Sequence, residues 1–175
     1  MAVPSSSFTT TAGPIIRPLS TDAEARECAE IMSTSDPWRR LGRTFDQSYA
    51  MLRDPAREVY VALDEQSRDS DARVAGFTIL IMHGAFVGYL QSVAVRAEWR
   101  GRGLGTELIA WAERRIFREQ PNVFICVSSF NPDALRLYER LGYKVVGELT
   151  DYIVRGHSEI LLRKTTGPMA DHNKD

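Results

Sequence analysis

The sequence predicts an α/β fold with one mixed β-sheet of about seven strands and about four helices. Strand-like runs rich in β-branched residues and helix-like runs with apolar residues at helical spacing follow one another in the order β-α-α-β-β-β-α-β-α-β-β. A glycine-rich turn at residues 100–105 separates a strand-like run from a helix-like run. The chain of 175 residues is about the length of one domain.

The first elements are a short strand and a helix. Residues 15–19 predict the strand. Ser20 or Thr21 can cap a helix that runs through Met32, and Glu24 is placed to complete a capping box.

A proline after the first helix separates it from a second helical segment. Apolar residues at helical spacing predict helix over residues 37–53, and Gly42 leaves open whether this is one helix or two short ones. Residues 58–63 predict a strand, and the polar residues 64–73 predict a hairpin loop. The same patterns predict strands over residues 74–82, 85–95, 123–127, 143–148 and 152–162, and helices over residues 104–119 and 132–141.

Composition narrows the class of protein. A hydrophobic content of 43% with 26% charged residues is typical of a soluble globular protein, and a net charge of −1 without a basic tract argues against nucleic-acid and membrane partners. We expect a disordered leader over residues 1–13, a single domain over residues 14–164 and a flexible tail over residues 165–175. Cys28 and Cys126 lack metal-ligand spacing, which favours free thiols in a reducing cytoplasm.

The glycine-rich turn predicts an anion site. A turn that opens a helix leaves backbone N–H groups free at the positive end of the helix dipole, so a phosphate is the expected ligand. A P-loop needs a lysine after its last glycine, whereas Thr106 follows Gly105 here, and a dinucleotide-binding turn needs a G-x-G-x-x-G spacing that these glycines lack. The remaining pattern, [QR]-x-x-G-x-[GA], is matched by Arg100, Gly103 and Gly105.

A second motif follows about thirty residues later. Residues 131–143 are similar to the pattern N-x-x-A-x-x-L-Y-x-x-x-G-[FY], which is matched by Asn131, Ala134, Leu137, Tyr138, Gly142 and Tyr143. With both motifs in this order, residues 15–164 resemble the Gcn5-related N-acetyltransferase (GNAT) superfamily, and residues 131–143 resemble most its branch that acetylates ribosomal proteins and other protein N-termini. The resemblance implies a mostly antiparallel sheet with one splayed parallel strand pair, and acetyl-coenzyme A (acetyl-CoA) as cosubstrate. No metal is expected, because His83, His157 and His172 lack partners at ligand spacing.

The resemblance places acetyl-CoA in the slot between the splayed strands. Backbone groups of Val93 and Val95 would hold the pantetheine amides, and an amide at or near Val93 would face the thioester oxygen. The implied cofactor-binding residues are Val93, Ala94, Val95, Arg100, Gly101, Arg102, Gly103, Leu104, Gly105, Thr106 and Asn131. Core packing of the valines and an N-cap role for Asn131 are the structural alternatives.

The resemblance also makes Tyr138 the catalytic residue, as the general acid that protonates the departing thiolate; packing on an apolar helix stripe is its structural alternative. The positions of the family's usual basic glutamates hold Cys126 and Tyr89, so the sequence identifies no general base. Cys126 has no adjacent histidine that would activate it as a nucleophile. The substitutes left open are His83, Asp151, Tyr152 and a water held by Ser128.

The acceptor is expected on the face formed by the first two helices and the last hairpin. The residues predicted there are Trp38, Arg39, Arg40, Phe45, Tyr49, Asp151 and Tyr152. The predicted function is an N-acetyltransferase that modifies a peptide N-terminus, a lysine or a small amine by direct attack in a ternary complex. The alternative is a non-catalytic acyl-CoA-binding or regulatory module, which the missing glutamates favour and Tyr138 disfavours. Transfer of a larger acyl group and assembly as a homodimer also stay open.

Overall fold

A computed structural model describes residues 14–64 and 73–172 and confirms the mixed α/β fold. Within these residues the sheet has seven strands in the order β1-β2-β3-β4-β5-β7-β6, and only β4 and β5 are parallel neighbours. The strands are β1 (Ile15–Pro18), β2 (Glu58–Leu63), β3 (Val74–Ile81), β4 (Tyr89–Val95), β5 (Asn122–Ser128), β6 (Lys144–Thr150) and β7 (Ser158–Thr165). The helices are α1 (Asp22–Thr34), α2 (Phe45–Leu52), α3 (Leu104–Ile116), α4 (Pro132–Arg140) and α5 (Met169–His172).

Helix α1 begins with the predicted capping box. The side chain of Thr21 accepts a hydrogen bond from the Glu24 N–H, and the Glu24 carboxylate accepts one from the Thr21 N–H. Burial alone would raise the pKa of Glu24, but hydrogen bonds from Arg17, Ser20 and Thr21 outweigh it and lower this pKa to about 2. The helix extends to Thr34, two residues beyond its predicted end.

The prediction of helix from residue 37 onward is wrong for its first part. Residues 37–42 form hydrogen-bonded turns, with the Arg43 N–H donating to the Trp38 carbonyl. Gly42 has a left-handed φ of +71°, which interrupts helical continuation, and Thr44 starts α2 with a second capping box. The chain before α2 is therefore a turn-rich segment, and it borders the site described below.

Two predicted strands start too early. Strand β4 begins at Tyr89 and not at residue 85, because Gly88 adopts a φ of +82° that strands do not use. Strand β7 begins at Ser158 and not at residue 152, because the Asp151 carboxylate accepts a hydrogen bond from the Gly156 N–H and closes a loop. The predicted leader (residues 1–13) and residues 65–72 of the predicted hairpin loop lie outside the described residues.

Apolar side chains cover both faces of the sheet. Helices α1 and α2 pack on one face, where Cys28, Met32 and Leu52 meet Phe77 and Ile79 of β3. Helices α3 and α4 pack on the opposite face, in a cluster that includes Ile109, Ala112, Ile116, Val123, Ile125, Val127 and Tyr138. The central strands of the sheet are thus buried on both sides by separate helix layers, whereas the edge strand β6 is exposed.

The parallel strands β4 and β5 touch at only one end. Their register contains a single residue pair, Tyr89 with Phe124, next to a hydrogen bond from the Phe124 N–H to the Gly88 carbonyl (3.0 Å). A Cβ at Gly88 would lie 2.4 Å from the Asn122 carbonyl oxygen, so this contact requires glycine. Beyond it the strands separate, as predicted for the splayed pair. On its other side β4 carries an irregularity opposite Ile79 and Leu80, where the register with β3 shifts.

Within the described residues, no helix is both long and apolar enough to span a membrane.

Candidate active site

A cavity of about 680 Å³ passes through the sheet where β4 and β5 separate. Successive side chains of a strand point to opposite faces of the sheet. Ile125 and Val127 face the layer of α3 and α4, whereas Cys126 and Ser128 face the opposite side, and all four line the cavity. This through-sheet cavity therefore connects the two faces.

Strand β4 presents unpaired backbone groups to the gap. The Ser92 carbonyl accepts a hydrogen bond from Thr78 of β3, and the Arg96 N–H donates to the Ala75 carbonyl beside β3. Because backbone groups alternate in direction along an antiparallel strand, Val93 and Val95 direct theirs towards β5, which is not paired with them. The Val95 carbonyl accepts a hydrogen bond from Arg100, so Val95 offers its N–H to the gap. The gap thus contains a strand edge to which an extended chain of amides can bind.

The glycine-rich turn precedes α3 and leaves its N-terminus open. Gly101 and Gly103 have φ values of +73° and +86°, and a Cβ at either would meet no heavy atom of the described residues within 4 Å. Gly103 is the N-cap, so no side chain caps this helix, whereas Thr21, Thr44 and Asn131 cap other helices. Free N–H groups facing open space fit a diphosphate.

The arginines of the turn hold its backbone in place. Arg100 donates from Nε to the Val95 carbonyl (3.0 Å) and from Nη2 to the hydroxyl of Ser35 (3.2 Å). The Arg102 guanidinium lies 5.2 Å from the centroid of the Trp99 ring. Arg100 thus ties the turn both to the unpaired edge of β4 and to the end of α1.

Not every residue in the predicted cofactor set lines the through-sheet cavity. Of that set, Val93 and Asn131 do so, as does the predicted catalytic residue Tyr138, and the glycine turn lies outside the cavity lining. The Ala94 side chain packs in the core beneath α1 and α2, and the Leu104 side chain packs against β2 and β3. The residues at the start of α3 with no contact to the cavity are Leu104, Gly105 and Thr106.

Helix α4 brings Asn131 and Tyr138 to the same cavity because they lie about two helical turns apart. The Asn131 Oδ1 accepts a hydrogen bond from the Ala134 N–H (3.3 Å), so the N-cap role is present. Tyr138 is 6% exposed and packs edge-on against Tyr143, with ring centroids 5.3 Å apart. Burial and the nearby Glu113 raise the pKa of Tyr138, so its phenol stays protonated at neutral pH.

The two residues at the family's usual glutamate positions contact each other. The Tyr89 hydroxyl lies beside the Cys126 thiol, and burial raises the pKa of both groups. A thiol held in its protonated form is a poor nucleophile, so the geometry disfavours covalent chemistry at Cys126. A protonated phenol is also a poor proton acceptor.

The site contains a carboxylate that the sequence analysis did not identify. Glu159 of β7 lines the cavity, is 4% exposed, and accepts a hydrogen bond of 2.6 Å from the Ser128 hydroxyl. Burial raises the pKa of Glu159, and the hydrogen bond from Ser128 partly opposes that shift. The register of β5 with β7 pairs Ser128 with Glu159, and cross-strand register is not readable from the sequence. The available signal was an acid directly before the apolar run at residues 160–162.

The other residues considered as bases lie at the edge of the cavity or away from it. His83 is exposed in the connection after β3 and does not line the cavity. Asp151 is exposed and accepts the hydrogen bond from Gly156 within its own loop. Tyr152 does line the cavity, but it is 65% exposed.

Three loops meet at the acceptor side. Trp38 lines the cavity from the segment before α2. The Arg40 guanidinium lies 4.2 Å from the centroid of the Phe130 ring, which packs edge-on against His157 at 5.0 Å. These contacts connect the segment before α2 with the β5–α4 and β6–β7 loops. The predicted acceptor-face residues outside the cavity lining are Arg39, Arg40, Phe45, Tyr49 and Asp151.

Metal-ligand clusters are not found in the described ranges: no group of three or more His, Cys, Asp or Glu side chains there is arranged to hold an ion.

Comparison with known proteins matches this architecture. The model of the acetyltransferase (GNAT) family matches residues 25–143. S-(2-succino)cysteine N-acetyltransferase of Bacillus subtilis (strain 168) is 24% identical over 159 residues, which are 83% of this chain and 93% of that protein. Mycothiol acetyltransferase of Mycobacterium sp. (strain JLS) is 35% identical over 97 residues, 53% of this chain. The chain spans 31% of the mycobacterial protein and less than half the length of most curated relatives that it matches.

A solved structure shares the fold. The structure of aminoglycoside 6'-N-acetyltransferase complexed with coenzyme A superposes with a TM-score of 0.70 at 19% identity, covering 88% of this chain and 98% of that one. At this identity the likeness shows a common fold only. The predicted branch that acetylates protein N-termini is not confirmed by these comparisons.

Proposed function

Because the chain belongs to the acetyltransferase (GNAT) family, whose members use acetyl-CoA to acetylate amines, we propose that it transfers an acetyl group to a primary amine by direct attack in a ternary complex. The observation that carries the proposal is the through-sheet cavity. It gives a cosubstrate on one face and an acceptor on the other face access to a common point between β4 and β5. Bound acetyl-CoA supplies the acetyl thioester at that point.

The chain's own residues bind and orient the cosubstrate. Val93 and Val95 offer backbone groups along the unpaired edge of β4, and the turn at Gly101 and Gly103 offers free N–H groups to the diphosphate. The backbone N–H of Val93 stabilises negative charge on the thioester oxygen. Tyr138 donates a proton to the departing sulfur, a role that its position in the cavity supports; its raised pKa keeps the phenol protonated until that step.

A small amine that also carries a carboxylate is our proposed acceptor. Arg43 lines the cavity, and within the described residues no carboxylate lies within ion-pair distance of its guanidinium. The contacts among the loops at Arg40, Phe130 and His157 narrow the approach, which favours a small molecule over a folded protein. A cysteine derivative, the acceptor named for the Bacillus subtilis relative, has this chemistry.

A peptide N-terminus is the second candidate acceptor, and the match of residues 131–143 to the N-terminal acetyltransferase pattern favours it. We also propose a reducing cytoplasm as the setting, which the free thiols of Cys28 and Cys126 support. The rival function is a non-catalytic acyl-CoA-binding module. A buried phenol and a buried carboxylate in one cavity argue against it, because binding alone needs neither group.

Two measurements test the proposal. Calorimetric titration with acetyl-CoA and with free coenzyme A should show micromolar binding of both; no binding would refute the cosubstrate site. A thiol-release assay should then compare S-(2-succino)cysteine, spermidine, an aminoglycoside and a short peptide with a free N-terminus. Release with the carboxylate-bearing amine supports the proposed acceptor, whereas release with the peptide alone supports the second. Binding without release from any amine supports the non-catalytic module.

A further inference from the structure

The through-sheet cavity contains one buried carboxylate, and that carboxylate has no cationic partner. Glu159 is 4% exposed, and its hydrogen bond comes from the neutral hydroxyl of Ser128. Within residues 14–64 and 73–172, no lysine, arginine or histidine nitrogen lies within 4 Å of it. A buried carboxylate without a positive partner is costly to maintain, so its position calls for a functional explanation.

Glu159 lies on the acceptor side of the cavity. The register of β5 with β7 pairs it with Ser128, whose side chain points to the same face as that of Cys126. Tyr138 lies on α4, in the helix layer that covers the opposite face. A thioester held between β4 and β5 would therefore have the phenol on one side and the carboxylate on the other.

We propose that Glu159 is the general base of the reaction, held in place by Ser128, and that the acceptor enters the cavity as a protonated primary amine whose ammonium group meets this carboxylate. The inference rests on the proposed acetyl transfer and adds the proton acceptor that neither sequence motif provides. An entering ammonium group supplies the missing positive partner. The position also accounts for the absence of glutamate at residues 89 and 126.

The electrostatic surroundings suit this role. Burial raises the pKa of Glu159 towards that of an amine in a water-poor cavity, which makes proton transfer less uphill. The titratable or charged groups that share the cavity are Arg43, Tyr89, Cys126, Tyr138 and Tyr152. Burial raises the pKa values of Tyr89 and Cys126. Neither therefore competes with Glu159 as a proton acceptor at neutral pH.

The protons and bonds balance with these two side chains. Glu159 takes one proton from the ammonium group and becomes neutral. The freed nitrogen lone pair forms the C–N bond to the acetyl carbon while the C–S bond breaks, and the sulfur takes the proton of Tyr138. The second proton that the nitrogen loses restores the phenol, and Glu159 releases its proton to solvent. The products are the N-acetyl amine and coenzyme A as a thiol.

The test compares the pH dependence of Glu159→Gln, Ser128→Ala and the wild-type protein. At pH 7 we expect Glu159→Gln to lower kcat for an aliphatic amine by about 100-fold or more while the Kd of acetyl-CoA stays within about twofold. A second acceptor of the same shape carries a fluorinated amine, which is largely unprotonated at pH 7. With this acceptor, Glu159→Gln should lower kcat by less than about fivefold, because an unprotonated amine needs no base. Glu58→Gln is the matched control, since Glu58 pairs with Arg115 outside the cavity.

Ser128→Ala keeps the carboxylate and provides an independent reading. The Ser128 hydroxyl lowers the pKa of Glu159, so removing this hydroxyl should move the acidic limb of kcat/KM to higher pH. This shift tests the proposal even if Glu159→Gln fails to fold. If Glu159→Gln lowers kcat equally for both amines, or if Ser128→Ala leaves the acidic limb of kcat/KM in place, Glu159 is not the base. Either result would leave the proposed acetyl transfer intact. If the wild-type protein binds acetyl-CoA but acetylates no amine, acetyl transfer and the base both fall.

Discussion

Replacing Gly103 by alanine separates the cost of backbone strain from the loss of a cosubstrate site. Gly103 and Gly84 have nearly the same left-handed φ, +86° and +90°, and at both a Cβ would point into open space among the described residues. Alanine in this conformation costs about 1–2 kcal/mol. We therefore expect Gly103→Ala and Gly84→Ala to lower the Tm similarly, by about 2–8 °C.

Cosubstrate affinity should distinguish the two variants. A Cβ at Gly103 would stand in open space at the N-terminus of α3, where the diphosphate is proposed to bind, whereas Gly84 lies in the connection between β3 and β4. Loss of one hydrogen bond to a charged diphosphate is worth about 1.5–3 kcal/mol. Calorimetry should thus show a Kd for coenzyme A at least about tenfold weaker in Gly103→Ala only. Equal affinities of the two variants for coenzyme A would refute the assignment of the glycine turn as the diphosphate site.

Three other substitutions test separate features of the molecule. Tyr138→Phe should lower kcat by about 100-fold with the Kd of coenzyme A unchanged, and full turnover over a broad pH range would remove the phenol from the acid role. Because its pKa is lowered to about 2, Glu24 stabilises the folded protein above about pH 4, and this contribution is lost as the pH falls through about 2. Glu24→Gln should therefore flatten the pH dependence of the unfolding free energy in that range, and an unchanged curve would contradict the pKa. Gly88→Ala should lower the free energy of unfolding, measured by denaturant titration, by more than about 2 kcal/mol. The reason is that the added Cβ would lie 2.4 Å from the Asn122 carbonyl oxygen. A smaller loss would mean that β4 and β5 adjust at their contact.

Local signals in the sequence were sufficient for most of the fold. The capping box of Thr21 and Glu24 sets the start of α1, and both of its residues lie within a four-residue segment. Such short-range hydrogen bonds can be predicted from a sequence pattern. The early starts predicted for β4 and β7 failed because apolar residues such as Phe86 and Ile153 lie in loops, where both are about half exposed. Apolar content alone does not distinguish a strand from a loop in which glycines turn the chain.

The candidate site was predictable where one element carries its residues. Asn131 and Tyr138 belong to a single helix, so their common face follows from helical spacing. Glu159 depends instead on which residue of β5 it faces, and that register is set by the packing of the whole sheet. A motif search therefore finds Asn131 and Tyr138 on one side of the cavity and misses the buried carboxylate of Glu159 on the other.

The single contact between β4 and β5 divides the backbone hydrogen bonding of the sheet into two sets. Strands β1 to β4 form one hydrogen-bonded set and β5 to β7 another, joined at Gly88, Tyr89 and Phe124 and bridged by α3. Amide hydrogens of Val93 and Val95 should consequently exchange with solvent faster than those of the fully paired strand β3. A ligand bound along this edge supplies the absent inter-strand bonds, and at 100 times its Kd it adds about 2.7 kcal/mol of stability. If the cosubstrate binds along this edge as proposed, these amides should exchange more slowly as its concentration rises.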